Sequence, residues 1–206
     1  MRIGRLHRRP VSQRQKKNRM GSKPIVRSAE DLDAGQIADI YNHYVEHSIA
    51  TFEEKPVELS EMAARLRDVH DAGFPWLVAQ QSAGIVGYAY ASQWKSRSAY
   101  RYSVEVTVYL DPQATGVGWG TRLYNSLFAD LKDRGFRTAI GGISLPNPAS
   151  VALHEKMGMT QVAQFRSVGY KLGQWIDVGY WQVDLGSSAI ASDHVSDRIT
   201  DRGDSL

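Results

Sequence analysis

The chain has 206 residues and no cysteine. That absence excludes a disulfide framework, a thiolate nucleophile, an acyl-enzyme built on sulfur and any cysteine-based zinc site. No apolar run approaches the roughly 20 residues needed to cross a bilayer, and the N-terminus lacks the apolar stretch of a secretory signal. The chain is expected to be soluble and cytoplasmic. Metal-ligand spacing is missing as well, since "HEKMG" at His154 has no second histidine after it. His43 and His47 share a helix face, but two histidines alone make a poor site, so no metal is expected.

Acidic residues are absent from residues 1–19, which carry eight Lys/Arg. Removing those eight cations from the net +3 leaves the remaining residues at −5, so the high isoelectric point belongs to the segment and not to the folded part. A basic segment without apolar periodicity attracts phosphate and could act as a nucleic-acid or membrane-surface arm. The favoured alternative is an extension upstream of a natural-looking start at Met20-Gly-Ser-Lys-Pro-Ile, and nucleic acid is not the expected partner. Residues 1–22 are expected to be a disordered basic extension, residues 23–186 one domain, and residues 187–206 a polar, disordered tail.

Within 23–186 the hydrophobic period changes several times. "KPIVRSA" reads as a short strand. Ile37, Ile40, Tyr41, Tyr44 and Val45 then recur at helical spacing, as do Met62, Leu66 and Val69 before Gly73. From Pro75 onward three β-rich runs, "WLVAQQ", "GIVGYAYASQW" and "YRYSVEVTVYL", suggest an antiparallel meander. A helix carrying Leu123, Leu127 and Leu131 follows, then the strand "FRTAIGGI", a short helix capped by Asn147, and two strands joined near Gly173. The order predicts an α/β (α+β) domain: one mixed sheet of about seven strands with helices on both faces, and parallel pairing wherever a helix intervenes.

Between the third β-rich run and the Leu-rich helix lies "DPQATGVGWGTRLY", with Gly116, Gly118 and Gly120 at alternate positions. A strand, a glycine-rich turn and a helix N-terminus together place free backbone N–H groups and the positive end of a helix dipole in one concavity, which suits an anion. A Walker loop requires Lys-Ser/Thr after the last glycine, and here Thr121-Arg122 follows. A dinucleotide fingerprint requires the third glycine one place later and an acid at the end of the next strand, which "FRTAIGGI" does not supply. A turn that merely starts a helix needs one glycine, not three. What remains is a pyrophosphate held by consecutive amides.

The loop resembles the coenzyme A-binding element of the GCN5-related N-acetyltransferase (GNAT) family, with Thr115 standing where that element has Arg or Gln. The likeness extends over residues 24–185, through "YNHYVEHSIATFEEKP", "PWLVA", "GYAYASQWKSRSAYRYSVEVTVYL", "SLPNPASVALHEKMGM" and "VGYKLGQWIDVGYWQVDL". These segments are similar to the phosphinothricin and methionine sulfone/sulfoximine acetyltransferase branch. The resemblance implies a GNAT fold, acetyl-CoA as cosubstrate, a small amino-acid-like amine as acceptor and a homodimer. Acetylation of polyamines or protein N-termini is the alternative within the family.

Site residues follow from the same likeness. Val108, Tyr109 and Leu110 are expected to hydrogen-bond the coenzyme's pantetheine arm through their backbone and to offer amides to an oxyanion. Gly116, Val117, Gly118, Trp119, Gly120 and Thr121 are expected to hold its phosphates, with a further contact from Asn147. Glu105 is the expected general base. Strand alternation sends Val104, Val106 and Val108 to one face and Glu105 with Thr107 to the other, and a carboxylate amid apolar neighbours is costly unless paired or used. An ammonium acceptor must lose a proton before attacking a thioester, which a carboxylate can take directly or through one water. A structural glutamate paired with an arginine is the competing possibility. His154 occupies the place of a tyrosine thought to protonate the departing thiolate in many relatives; a satisfied core histidine is equally open. Lys95, Ser96 and Arg97 match the family's substrate loop, and Arg97 suits an α-carboxylate, although a solvated arginine is the bland alternative. Glu105, Val106 and Thr107 complete the expected acceptor contacts.

Overall fold

The computed structural model describes residues 24–186, so the expectations for 1–22 and 187–206 lie outside the described residues. The element order is β1 (Ile25–Ser28), α1 (Ala34–His47), α2 (Leu59–Asp71), β2 (Trp76–Gln81), β3 (Gly84–Gln93), β4 (Ser103–Leu110), α3 (Trp119–Asp133), β5 (Thr138–Leu145), α4 (Pro148–Lys156), β6 (Thr160–Lys171) and β7 (Gln174–Asp184). One seven-stranded sheet results, in the order β1-β2-β3-β4-β5-β7-β6.

Two cores form because each central strand alternates. Leu77, Ala79, Ala89, Ala91, Val104 and Val106 face α3, whose Leu123, Leu127 and Leu131 are fully buried at i, i+4, i+8 spacing. Trp76, Val78 and Tyr88 face the other way, against Ile37, Ile40, Tyr41 and Val45 of α1 and Met62 and Leu66 of α2. Burying one such leucine is worth about 1.5–3 kcal/mol. The start of α1 is tied to β1 by Arg27, whose guanidinium donates to both Asp33 carboxylate oxygens at 2.7 and 2.8 Å, while Asp33 also accepts from the Glu30 amide.

The expectation that helices imply parallel neighbours fails at two places. β4 and β5 are parallel across α3, but β1 and β2 are antiparallel although α1 and α2 lie between them. With two helices between them the chain turns back three times, so the next strand runs opposite to the first. Across α4 the chain does reach β6, yet β7 inserts between β5 and β6 and pairs antiparallel with both. Two boundaries also move. β4 begins at Ser103 and not at Tyr100, which ends a 3-10 turn over Ser98–Tyr100, and α3 begins at Trp119, which puts Gly120 inside the helix.

Candidate active site

β4 is fully paired with β3 as far as Gly87↔Leu110, but its pairing with β5 stops at Glu105↔Ile140. From Val106 onward the two parallel strands part, and the edge of β4 that faces β5 has no ladder partner. A cavity of about 490 Å³ opens in the gap, lined by residues 106–110 of β4, 142–144 of β5, the glycine loop and the inner faces of α3 and α4.

The loop at the end of β4 is shaped by three local devices. Asp111 accepts from the Gln113 amide at 2.8 Å, and the Thr115 hydroxyl donates to the Pro112 carbonyl at 3.1 Å. Thr115 thus braces the turn through its hydroxyl while lining the cavity. Gly116 and Gly118 have φ of 75° and 92°, a region that side chains with a Cβ rarely adopt, and nothing lies within 4 Å of the position a Cβ would take. Gly120 is needed for a different reason, since a Cβ there would stand 2.8 Å from Leu153 of α4. Gly118 is the N-cap of α3, so the first amides of that helix have no intrahelical partner and open onto the concavity. Val117 is exposed, and the Trp119 side chain turns into the core beneath Arg122. Neither lines the cavity, and only their backbone amides are placed to serve an anion.

α4 begins at Asn147, whose side-chain carbonyl accepts from the Ser150 amide at 3.1 Å, and Asn147 also lines the cavity. His154 is 3% exposed. Its Nδ1 lies 2.8 Å from the Ser150 carbonyl and its Nε2 3.0 Å from the Tyr124 hydroxyl. A carbonyl only accepts, so Nδ1 carries the hydrogen and Tyr124 donates to Nε2. Burial pushes the His154 pKa down and the Tyr124 pKa well up, which keeps both neutral near pH 7. His154 thus has the partners of a satisfied core histidine while still lining the cavity through its bond to Tyr124. Gly141 makes room for the ring, because a Cβ there would sit 2.6 Å from Nε2.

Glu105 lies on the opposite face of β4. Its carboxylate is beside Gly142, where a Cβ would stand 3.5 Å from Oε1 and 3.3 Å from the Tyr180 ring. Burial pushes its pKa up from the ordinary glutamate value, and the one charge that opposes this is Lys95. No arginine balances it among the described residues. Thr107 is half-buried on the same face and lines the cavity, whereas the Val106 side chain packs into the α3 core. Lys95, Ser96 and Arg97 are exposed and do not line the cavity; the Lys95 ammonium rests 4.7 Å from the Trp94 ring centroid. Tyr180 is flanked edge-on by Trp94 and Phe165 at 5.6 and 5.7 Å. Tyr124, Ser144 and Tyr180 had no signal in the sequence, since Tyr124 reads as one more core position of α3 and the others belong to distant strands.

A parted parallel pair, a helix N-terminus suited to an anion at its end and a half-buried carboxylate beside the gap suit a long phosphorylated ligand whose far end reacts with an amine. Residues 26–179 match the family described as "Acetyltransferase (GNAT) domain". The chain belongs to the GNAT acetyltransferases. Among the relatives of this GNAT acetyltransferase, phosphinothricin N-acetyltransferase of Streptomyces viridochromogenes is 40% identical over 164 residues, 79% of this chain and 89% of that one. The L-methionine sulfoximine/L-methionine sulfone acetyltransferase of Salmonella typhimurium is 34% identical over 164 residues, 80% and 96% of the two chains. The crystal structure of a GNAT superfamily phosphinothricin acetyltransferase from Sinorhizobium meliloti in complex with AcCoA superposes with a TM-score of 0.77 at 37% identity, covering 80% of this chain and 90% of that one. The enzyme is an N-acetyltransferase. Among the described residues no cluster of three or more His, Asp or Glu could hold a metal ion, and no helix is long and apolar enough to cross a membrane.

Proposed function

We propose that this GNAT acetyltransferase moves the acetyl group of acetyl-CoA to the α-amine of a small amino-acid-like acceptor of the phosphinothricin, methionine sulfoximine or methionine sulfone type. The observation that carries this reading is the parting of β4 from β5 immediately after Glu105, which leaves a half-buried carboxylate beside one end of a slot whose other end is a glycine-built anion cradle. The residues present fit the coenzyme: the left-handed Gly116 and Gly118 leave open space for a pyrophosphate, and the free edge of β4 can accept an amide chain as an added strand. When bound, the coenzyme supplies an acetyl thioester.

Backbone amides of Gly116–Thr121 hold the phosphates, with Asn147 beside them. The edge of Val108, Tyr109 and Leu110 aligns the pantetheine arm and offers amides to the oxyanion. Glu105 takes a proton from the acceptor's ammonium, directly or through one water, so that the amine attacks the thioester carbonyl. Tyr124 lines the cavity and gives the leaving sulfur the proton that its hydroxyl otherwise shares with His154 Nε2. Arg97, with Lys95 and Ser96, receives the acceptor's carboxylate. The enzyme works in the cytoplasm as a homodimer; Val162, Phe165, Val168, Tyr170, Leu172 and Trp175 of the β6–β7 hairpin, each more than half exposed, offer an apolar face for a second copy.

Thiol release from acetyl-CoA, followed with phosphinothricin, methionine sulfoximine and methionine sulfone in turn, tests the acceptor class. Turnover of at least one supports it. No turnover on all three, with acetylation of a polyamine or a peptide N-terminus instead, would replace it.

A further inference from the structure

The connection from α1 to α2, residues 48–58, has no regular secondary structure, yet three of its successive carbonyls are each held by a different strand. Ile49 accepts from the Ser144 hydroxyl of β5 at 2.6 Å, Ala50 from the Tyr109 hydroxyl of β4 at 3.1 Å, and Thr51 from the Lys171 ammonium of β6 at 2.9 Å. The next two residues are fixed by side chains. The Phe52 ring lies on Gly169 so closely that a Cβ there would stand 2.3 Å from it, and Glu53 accepts from both terminal nitrogens of Arg65 at 2.7 and 3.2 Å.

Lys171 is the unusual member of this set. It is 3% exposed, and its ammonium hydrogen-bonds no carboxylate; besides Thr51 it donates to the Tyr44 carbonyl at 3.3 Å. That carbonyl lies in the last turn of α1, where the helix dipole favours a cation. Burial pushes its pKa down, and Glu54 and Glu53 pull it back up. A methionine would fill the same volume without desolvating a charge, so the feature a lysine adds is a charge-assisted link between the end of α1 and the Thr51 carbonyl.

The linked segment lies on the acceptor side. Tyr109 follows Glu105 and Thr107 on the same face of β4, and Ala50, held by Tyr109, lines the cavity with Tyr44. β6 reaches the same region through Phe165, which packs on Tyr180 beside Glu105.

We propose that Lys171 is a positioning residue for the acceptor site: its ammonium pins residues 49–53 to the end of α1 and so sets Ala50 and Phe52 as the wall against which the acceptor's side chain packs. This rests on the acceptor-side reading above. The test is Lys171→Met and Lys171→Arg in the full chain, measured by steady-state kinetics with methionine sulfone and acetyl-CoA and by hydrogen exchange. Lys171→Met is expected to raise the acceptor KM about tenfold, the loss of one charge-assisted bond, while the acetyl-CoA KM stays within about twofold. Exchange should accelerate in peptides covering 48–56 and stay unchanged in α3. Lys171→Arg keeps the donors and should retain most of the acceptor affinity. Unchanged exchange in 48–56, equal shifts in both KM values with exchange raised throughout, or an arginine variant as impaired as the methionine one would each overturn the proposal. Should Lys171→Met not fold, Lys171→Gln carries the same expectations. If wild type acetylates none of the three acceptors, the acceptor class has failed, and the exchange of 48–56 still decides whether Lys171 is the pin.

Discussion

The proposed coenzyme end of the cavity is made mainly from one stretch, residues 106–121, with Asn147 beside it, and offers mainly backbone: the free edge of β4, two left-handed glycines and the first amides of α3. The proposed acceptor end is gathered from separate elements, with Gly142 of β5 and Ala50 of the α1–α2 connection on the cavity wall and Glu105 of β4, Tyr180 of β7 and Lys171 of β6 behind it, and it offers mainly side chains. A backbone site tolerates changes of side chain provided the chain can still adopt the required angles. A side-chain site does not, but it can be altered one contact at a time.

The comparison can be broken most sharply at Glu105. Glu105→Gln should lower kcat/KM near neutral pH by about 10²–10³-fold and leave the acetyl-CoA KM nearly unchanged. Because burial raises the Glu105 pKa from the ordinary value of a glutamate, the wild-type acid limb of kcat/KM should be shifted upward in the same direction, and the variant should lose it. An unchanged profile would remove Glu105 from the mechanism.

At the other end, Gly118→Val forces a β-branched residue to φ near 92°, at a cost on the order of 1–3 kcal/mol, and should raise the acetyl-CoA KM about tenfold or more. Val117→Ala, one residue away but exposed, should change nothing measurable. Equal effects from the two would mean that the loop reads side chains after all.

Tyr124→Phe, between the two ends, is expected to lower kcat about tenfold without moving either KM, a modest effect because a buried tyrosine is a weak acid. Wild-type kcat in that variant would take proton delivery away from the Tyr124–His154 pair. The smallest effects concern stability. Asn147→Ala removes a helix cap and should cost about 1 kcal/mol, a fall in Tm of roughly 2–4 °C in a scan at fixed pH. His154 has its native pKa depressed below the unfolded value of 6.5, so the unfolded chain binds more protons between those two values. Stability from this residue is therefore full above pH 6.5 and lost as pH falls through the native pKa; His154→Gln should flatten that part of a urea-midpoint profile.

How much of this was legible differs between the two ends for a physical reason. The glycine loop advertised itself because strand, turn and helix N-terminus are contiguous, and the left-handed angles at Gly116 and Gly118 require the residue that was visible. Glu105 stood out because a carboxylate interrupts the valines of β4. Gly120 was visible only as one more glycine of the turn; that it lines the cavity from inside α3, and that a Cβ there would crowd Leu153, needed the structure. The Tyr124 partner of His154, and the Lys171 bonds across 120 and 127 residues to Thr51 and Tyr44, left no local pattern to read. Strand direction was half legible, because a helix between strands signals a reversal but not whether a further strand inserts.

The sequence by itself determined the elements and their order, the two buried faces of the sheet, the glycine loop and the candidate base, because each depends on periodicity or on one residue's own conformational needs. Only the tertiary structure decided where β4 leaves β5, which way His154 carries its proton, and how a strand at the sheet's edge fastens the connection between α1 and α2. Those depend on distances between segments far apart in the chain, which no local period encodes.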